Sequence, residues 1–183
     1  MKLNINNVPQ DNILIFDIEY DQNVLIQLAT LTLRKIESDV FQLTRSTNIY
    51  IDPNQSVSSF FIGYTNITND YLRYNGTDLA GARSLAHEIV FDVGTNNTLL
   101  VSHGLDNDLE ILYKNGIDWK VLPNKYDTYK KAKELLHRGS LLTLKDIAQN
   151  DGFFMFNEHN AYADAWGTLH AFCWLKENEE RID

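Results

Sequence analysis

The segment Ile13-Leu14-Ile15-Phe16-Asp17-Ile18-Glu19 constrains the fold of this chain more than any other. An unbroken apolar run of this length is too short for a buried helix and too apolar for a strand with one wet face. It reads as a central strand covered on both sides. Asp17 and Glu19 then stand two positions apart, so a strand points both carboxylates to one face, with Leu14, Phe16 and Ile18 on the other. Such a pair at the end of a buried strand is costly unless a positive charge lies between the two, or unless the strand end simply reaches solvent.

The rest of the chain supplies the layers that this strand needs. Residues 24–33 (V-L-I-Q-L-A-T-L-T-L) read as a second strand, joined to the first by a turn at Y-D-Q-N as a hairpin. A third strand is expected over 40–51, stopped by Asp52-Pro53-Asn54. The polar, aromatic stretch 54–75 reads as a long surface loop with a short turn of helix. Helical spacing at Leu79, Leu85, Ile89 and Val90 predicts a helix over 77–92, with Thr77 as N-cap and Gly94 as stop. T-L-L-V-S gives a fourth strand, and 106–115 a helix ended by Gly116, with Asp106 the better capping acid. Tyr126-Asp127-Thr128 ends a short fifth strand before a helix running to Leu136. Two more helices are expected over 143–150 and 161–177. Three strands followed by alternating helices and strands indicate an α/β fold with a mixed five-stranded sheet flanked by helices. Neither repeats nor linkers divide it, so residues 1–183 are expected to form a single domain.

Charge narrows the function. The net charge is −9 and the sequence pI about 4.9, which disfavours a general binder of duplex nucleic acid, because phosphate neutralisation drives that affinity. Bound cations would cancel part of this charge, and an enzyme acting on short or single-stranded ends needs few phosphate contacts. The basic residues Lys114, Lys120, Lys125, Lys130, Lys131, Lys133, Arg138 and Lys145 fall in one stretch. They read either as the wet faces of helices or as a flank that tracks a phosphate backbone. The lone cysteine, Cys173, excludes an internal disulfide and fits a reducing compartment. No apolar run approaches a membrane span, and the start M-K-L-N-I-N-N-V-P-Q does not read as a secretion signal. A cytoplasmic protein with no membrane partner is the expectation.

Three acidic clusters carry the chemistry: Asp17 with Glu19, Asp108 in V-S-H-G-L-D-N-D, and His159 with Asp164 in H-N-A-Y-A-D-A. Acids that a fold gathers repel one another, and divalent cations relieve that repulsion. All-oxygen donor sets suit Mg²⁺ or Mn²⁺, and a metal pair is a common device for cutting phosphodiesters. Taken singly, each cluster has a blander reading. Asp17 and Glu19 could be strand-end acids, Asp108 a helix-dipole partner, His159 a surface loop residue and Asp164 a helix-start acid. His103, at the fourth strand's end, reads as a hydrogen-bonded structural residue or a substrate contact. His159 stands on a loop before the last helix, where its imidazole can take a proton from an attacking water. The small residues around Asp164 let that helix approach a neighbouring strand closely. His87, His137 and His170 lie in no carboxylate motif and read as structural or exposed.

In order and context the clusters resemble the DEDDh branch of the DEDD 3′→5′ exonucleases, which includes proofreading subunits of polymerases, oligoribonuclease and RNA-trimming enzymes. F-D-I-E matches the first motif, V-S-H-G-L-D-N-D the second and H-N-A-Y-A-D-A the third. Asp127-Thr128 and L-T-L-K-D-I-A-Q are similar to further segments of that family. The resemblance implies a ribonuclease H-like sheet and a two-metal site. In it Asp17 bridges both ions, Glu19 and Asp164 complete one position, Asp108 holds the second, and His159 activates water. Tyr20 stands where relatives carry Thr, in a segment that contacts the terminal nucleotide, and stacks on a base or alters end recognition. Gly104 and Asn107 replace the usual Asn and Phe.

The leading expectation is a Mg²⁺- or Mn²⁺-dependent hydrolase that releases 5′-nucleotides from single-stranded or frayed DNA 3′ ends, with a polymerase or repair complex as a possible partner. The same chemistry on RNA or very short oligonucleotides is the near alternative. A catalytically silent interaction module of the same fold is the distant one, motivated by Tyr20, Gly104 and Asn107. The short tail beyond the last helix leans toward a free-standing enzyme.

Overall fold

The computed structural model describes residues 1–136, 143–155 and 159–179. His137 and Arg138 lie outside the described residues.

The apolar run forms β2 (Asn12–Asp21), and it does have neighbours on both edges and cover on both faces. It pairs antiparallel with β3 (Val24–Glu37), which pairs antiparallel with β4 (Val40–Tyr50). On its other edge β2 runs parallel to β5 (Thr98–Ser102), which runs parallel to β6 (Asn124–Asp127). The expected mixed sheet is present, but it has six strands rather than five. β1 (Lys2–Asn4) adds to the edge of β4, giving the order β1-β4-β3-β2-β5-β6. With so few residues β1 carries no readable alternation, and Leu3 packing against the core is what seats it.

Pleating divides the β2 side chains between two cores. Leu14, Phe16 and Ile18 face α3 (Leu79–Val93) and α4 (Leu105–Lys114), with Phe16 edge-on to Trp119 at 5.1 Å. Ile13 and Ile15 face α7 (Ala161–Glu179), whose Ala161, Ala165, Leu169 and Phe172 are all fully buried. Asp17 and Glu19 continue the Ile13–Ile15 face, so they point to the α7 side. Deleting the Phe16 ring would leave a void costing about 3–5 kcal/mol.

Three local expectations are corrected. The stretch 54–75 is helical over most of its length, as α1 (Ser59–Thr65) and α2 (Asn69–Asn75), capped by Ser58 and Thr68. The N-cap of α3 is Asp78, whose carboxylate accepts from the Gly81 N–H, rather than Thr77. Asp106 caps nothing; it reaches Lys130 instead. The start of α4 is Gly104 at φ 93, ψ 40, a left-handed conformation that glycine adopts without a Cβ penalty. Its orphan N–H groups are answered from another strand, because the Asp127 carboxylate accepts from Gly104 and Leu105. The same carboxylate accepts from Tyr129 and Lys130, at the start of α5 (Thr128–Leu136). α6 (Leu144–Ala148) completes the helices and packs along α7.

A β-bulge interrupts the β2–β3 ladder immediately after Glu19, where the register slips so that Ile26 has no partner on β2. Bulges bend a strand and re-aim its side chains. Here the bulge releases Ile26 into a separate cluster with Val57, Phe61, Ile67 and Leu72, beneath α1 and α2. The helix pair is thereby fastened to the sheet at the level of the acidic pair. Among the described residues, no helix is long and apolar enough to cross a membrane.

Candidate active site

The carboxyl ends of β2 and β5 open into a cavity of about 860 Å³. Asp17 and Glu19 enter it from β2, His103 from just beyond β5, and His159 and Asp164 from the start of α7. Ligands in parallel-stranded sheets generally bind beyond the carboxyl ends of the strands, where loop backbone and helix N-termini converge. The last helix is drawn to this end by Gln27 of β3. Its fully buried Oε1 accepts from the Ala161 N–H, and its Nε2 donates to Asn48 at 2.8 Å. Asn160 caps the helix by accepting from the N–H groups of Tyr162 and Ala163.

Asp17, Glu19 and Asp164 each bring a carboxylate oxygen into one group whose atoms lie within 4.8 Å of one another. The charges that set the acidity of Asp17 and Glu19 are all acidic. Burial, and then Asp108, Asp164 and Glu19, push the Asp17 carboxyl well above its ordinary range. Burial, then Asp164 and Asp108, raise Glu19 to about 8. The donor set is all oxygen and closely spaced, which fits a hard divalent cation.

Asp108 is not part of that tight group. It sits on the first turn of α4, is 8% exposed, and accepts from the Ser102 hydroxyl at 2.5 Å. Burial raises its pKa to about 7, opposed by the Ser102 hydrogen bond. It nevertheless acts on the cluster, since it contributes to the shifts of both Asp17 and Glu19. The fold therefore gathers the four acids singled out in the sequence into one electrostatic unit, with three in mutual reach and one set back.

His159 has φ 62, a left-handed backbone that costs a non-glycine residue about 1–3 kcal/mol and persists only where surroundings enforce it. Two contacts do so. Its N–H donates to Asp164 at 3.1 Å, and its ring stacks on Tyr64 with centroids 3.6 Å apart. His103 is held differently. Its Nδ1 pairs with the Thr128 hydroxyl at 2.9 Å and burial lowers its pKa to about 4, so the ring is neutral near pH 7. Tyr20 is 37% exposed and its hydroxyl accepts from Asn107 at 3.0 Å, joining two of the positions where the motifs depart from their relatives.

Sequence reasoning missed Ser102, Gln27 and the α1 aromatics Phe60 and Tyr64. Polar residues inside apolar strands flagged the first two, and the spacing of four between the rings flagged the others. The basic stretch resolves mainly as helix surface. Lys114 and Lys120 reach Glu110, Lys130 reaches Asp106, Lys131 reaches Glu134 and Glu179, and Lys133 lies over the Tyr129 ring. Lys125 donates to the backbone carbonyl of Lys120, and Lys145 alone of those described lines the cavity. His170 does have a carboxylate partner, Asp151 at 2.6 Å, supplied by the turn before α7 rather than by a local motif.

The architecture is a ribonuclease H-like fold, shared with solved structures of exonuclease I. In particular, the chain superposes on E. coli exonuclease I in complex with a dT13 oligonucleotide at TM-score 0.72 and 18% identity, over 94% of this chain and 42% of that one. A zinc-bound form of the E. coli exonuclease I complex with single-stranded DNA gives TM-score 0.71 and 20% identity over the same shares. Apo exonuclease I gives 0.69 and 18%, over 94% and 43%. The chain thus spans less than half the length of these proteins, and at such identities the likeness is one of fold. The sequence matches no protein-family profile and no curated protein.

Proposed function

We propose that this chain is a divalent-metal-dependent 3′→5′ exonuclease that releases 5′-nucleotides from single-stranded DNA ends. The observation that carries this reading is the convergence of Asp17, Glu19 and Asp164 within 4.8 Å, beside His159, in one cavity. Asp17, Glu19 and Asp164 would hold one cation, and Asp17 with Asp108 a second. Bound there, divalent cations supply Lewis acidity to the scissile phosphate and neutralise charge on the leaving oxygen. His159 acts as general base, taking a proton from the attacking water. Ser102 keeps the Asp108 carboxylate oriented and favours its ionised form. His103, neutral near pH 7, offers hydrogen bonding without adding charge to the cavity. Tyr20 and the exposed Phe60 ring of α1 give apolar faces on which an unpaired base stacks.

DNA is favoured as the polymer by the exonuclease I complexes that share this fold, which hold DNA oligonucleotides. The direct test is degradation of 5′-labelled single-stranded DNA and matched RNA, with Mg²⁺, Mn²⁺ or EDTA, beside the Asp164→Ala protein. The expected result is a ladder that shortens from the 3′ end, requires metal and is absent in the variant. Intact polymers after incubation with folded wild-type protein would overturn the reading.

A further inference from the structure

Three aromatic rings form a continuous stack along one wall of the cavity. Phe60 lies on Tyr64, centroids 6.1 Å apart and planes 11° from parallel, and Tyr64 lies on His159, 3.6 Å apart and 25° from parallel. Phe60 and Tyr64 are spaced by four residues, so they share one face of α1. That face stays exposed, Phe60 at 80% and Tyr64 at 48%, which is unusual for large rings unless they have something to meet. α1 is not loosely placed. The Asp21 carboxylate, two positions beyond Glu19 on β2, accepts from both the N–H and the hydroxyl of Ser58, the N-cap of α1. Phe61 is buried against Ile26, the residue that the bulge beside Glu19 releases. The helix bearing Tyr64 is thus tied both to β2, which carries the acidic pair, and to β3, which pairs with it.

We infer that Tyr64 is a positioning residue: its ring fixes the plane of the His159 imidazole relative to the carboxylates. The inference rests on the exonuclease reading of the site. A general base is effective only when its nitrogen is aimed, and misplacement of about 1 Å costs on the order of a hundredfold in rate. Histidine bases are often aimed by a carboxylate that engages one ring nitrogen. A stacked ring does the job differently. It restrains the imidazole plane from one face. The left-handed backbone and the N–H bond to Asp164 fix where the side chain begins. Tyr64 then settles the two torsions that remain. The ring makes the stack, and Tyr64→Phe keeps it.

The test compares Tyr64→Ala, Tyr64→Leu and Tyr64→Phe with wild type in single-turnover cleavage of 5′-labelled single-stranded DNA, alongside KM and ¹H–¹³C spectra of the His159 ring. Removing the ring is expected to lower the single-turnover rate by roughly ten- to hundredfold with KM within about twofold, and Tyr64→Phe to restore it. The His159 ring protons should resonate upfield in wild type and Tyr64→Phe, and move downfield in Tyr64→Leu, which retains bulk without a ring current. If Tyr64→Ala fails to fold, Tyr64→Leu gives the same comparison. An unchanged or faster rate in the ringless variants of an active enzyme overturns the inference alone. So does a loss confined to KM. A wild-type protein that cleaves nothing overturns the proposed function and this inference together.

Discussion

Two parts of this protein concentrate charge, and they handle it in opposite ways. Around the α4–α5 surface, lysines meet acids at the solvent boundary, as in Lys120 with Glu110 and Lys130 with Asp106, each at 2.6 Å. At the end of β2, Asp17, Glu19 and Asp164 share a few ångströms of half-buried space, and the charges that shift Asp17 and Glu19 are all acidic. The first arrangement is nearly neutral in free energy, since exposed pairs are worth about 0–1 kcal/mol. The second is unfavourable for the protein alone, and the fold sustains it with bonds elsewhere, such as the Gln27 clamp. Charge that a fold neutralises by itself says little about function. Charge that it leaves uncompensated points to a ligand carrying the missing sign.

The sharpest way to break this contrast is to remove one member of the acidic group. Asp164→Ala should reduce turnover by about a thousandfold, because several kcal/mol of charge stabilisation depend on an intact donor set. It should also abolish measurable Mn²⁺ binding by calorimetry while leaving the circular dichroism spectrum native. Full activity in this variant would show that the cluster is only a strained surface.

Metal removal tests the same idea through stability. Glu19 at about 8, Asp108 at about 7 and the raised Asp17 hold protons in the folded protein that the unfolded chain has released by those pH values. Their folded-state values exceed the unfolded ones, so the contribution is fully present below about pH 4 and is lost as pH rises through about 7–8. In EDTA, Tm should therefore fall between pH 5 and 8.5. Mn²⁺ should reverse the fall, most strongly at the alkaline end, and Glu19→Gln should flatten the EDTA curve. A Tm without slope across this range would refute the uncompensated cluster.

A smaller effect is expected from Ser102→Ala. It removes the hydroxyl that favours the charged form of Asp108, and partners behind a metal ligand are typically worth ten- to a hundredfold in affinity. Cation affinity should drop by about tenfold, read by titration, with a loss of the same order in turnover at limiting metal. Smallest of all, Lys130→Ala should leave the urea midpoint and turnover unaltered, because the pair it breaks is solvent-exposed. A large loss of DNA affinity in that variant would restore the alternative reading of the basic stretch as a backbone-tracking flank.

Much of this could be read in the chain because the decisive signals are local. The β2 run, the alternating strands and helices after it, and the three acidic motifs each lie within a dozen residues. The parts that escaped depend on approach between distant segments. β1 is too short to show a period and exists as a strand because β4 presents an edge to it. α1 and α2 are short, so their apolar residues never repeat, although Ser58 and Thr68 marked their starts. Asp106 lost its capping role because the helix begins before it, at Leu105, where Asp127 of another strand accepts from the Gly104 and Leu105 N–H groups. The positions of Asp17, Glu19, Asp108, His159 and Asp164 were all named from the sequence, but not the setting back of Asp108 behind Ser102, nor the ring stack that faces His159.

The acidic group is divided between the second strand and the last helix, and that division has a consequence for the life of the chain. While it is being synthesised, Asp17 and Glu19 are two ordinary acids with ordinary affinity for cations. They become half of a site only after the final helix has docked, since the sheet must close across its longest sequence separation to bring Asp164 to them. On the proposed reading, cation capture would then be a late event coupled to folding. A nascent or partly unfolded copy would carry every residue of the proposed centre without its geometry. An enzyme of the proposed kind would thus emerge beside messenger RNA harmlessly, armed only once α7 has docked.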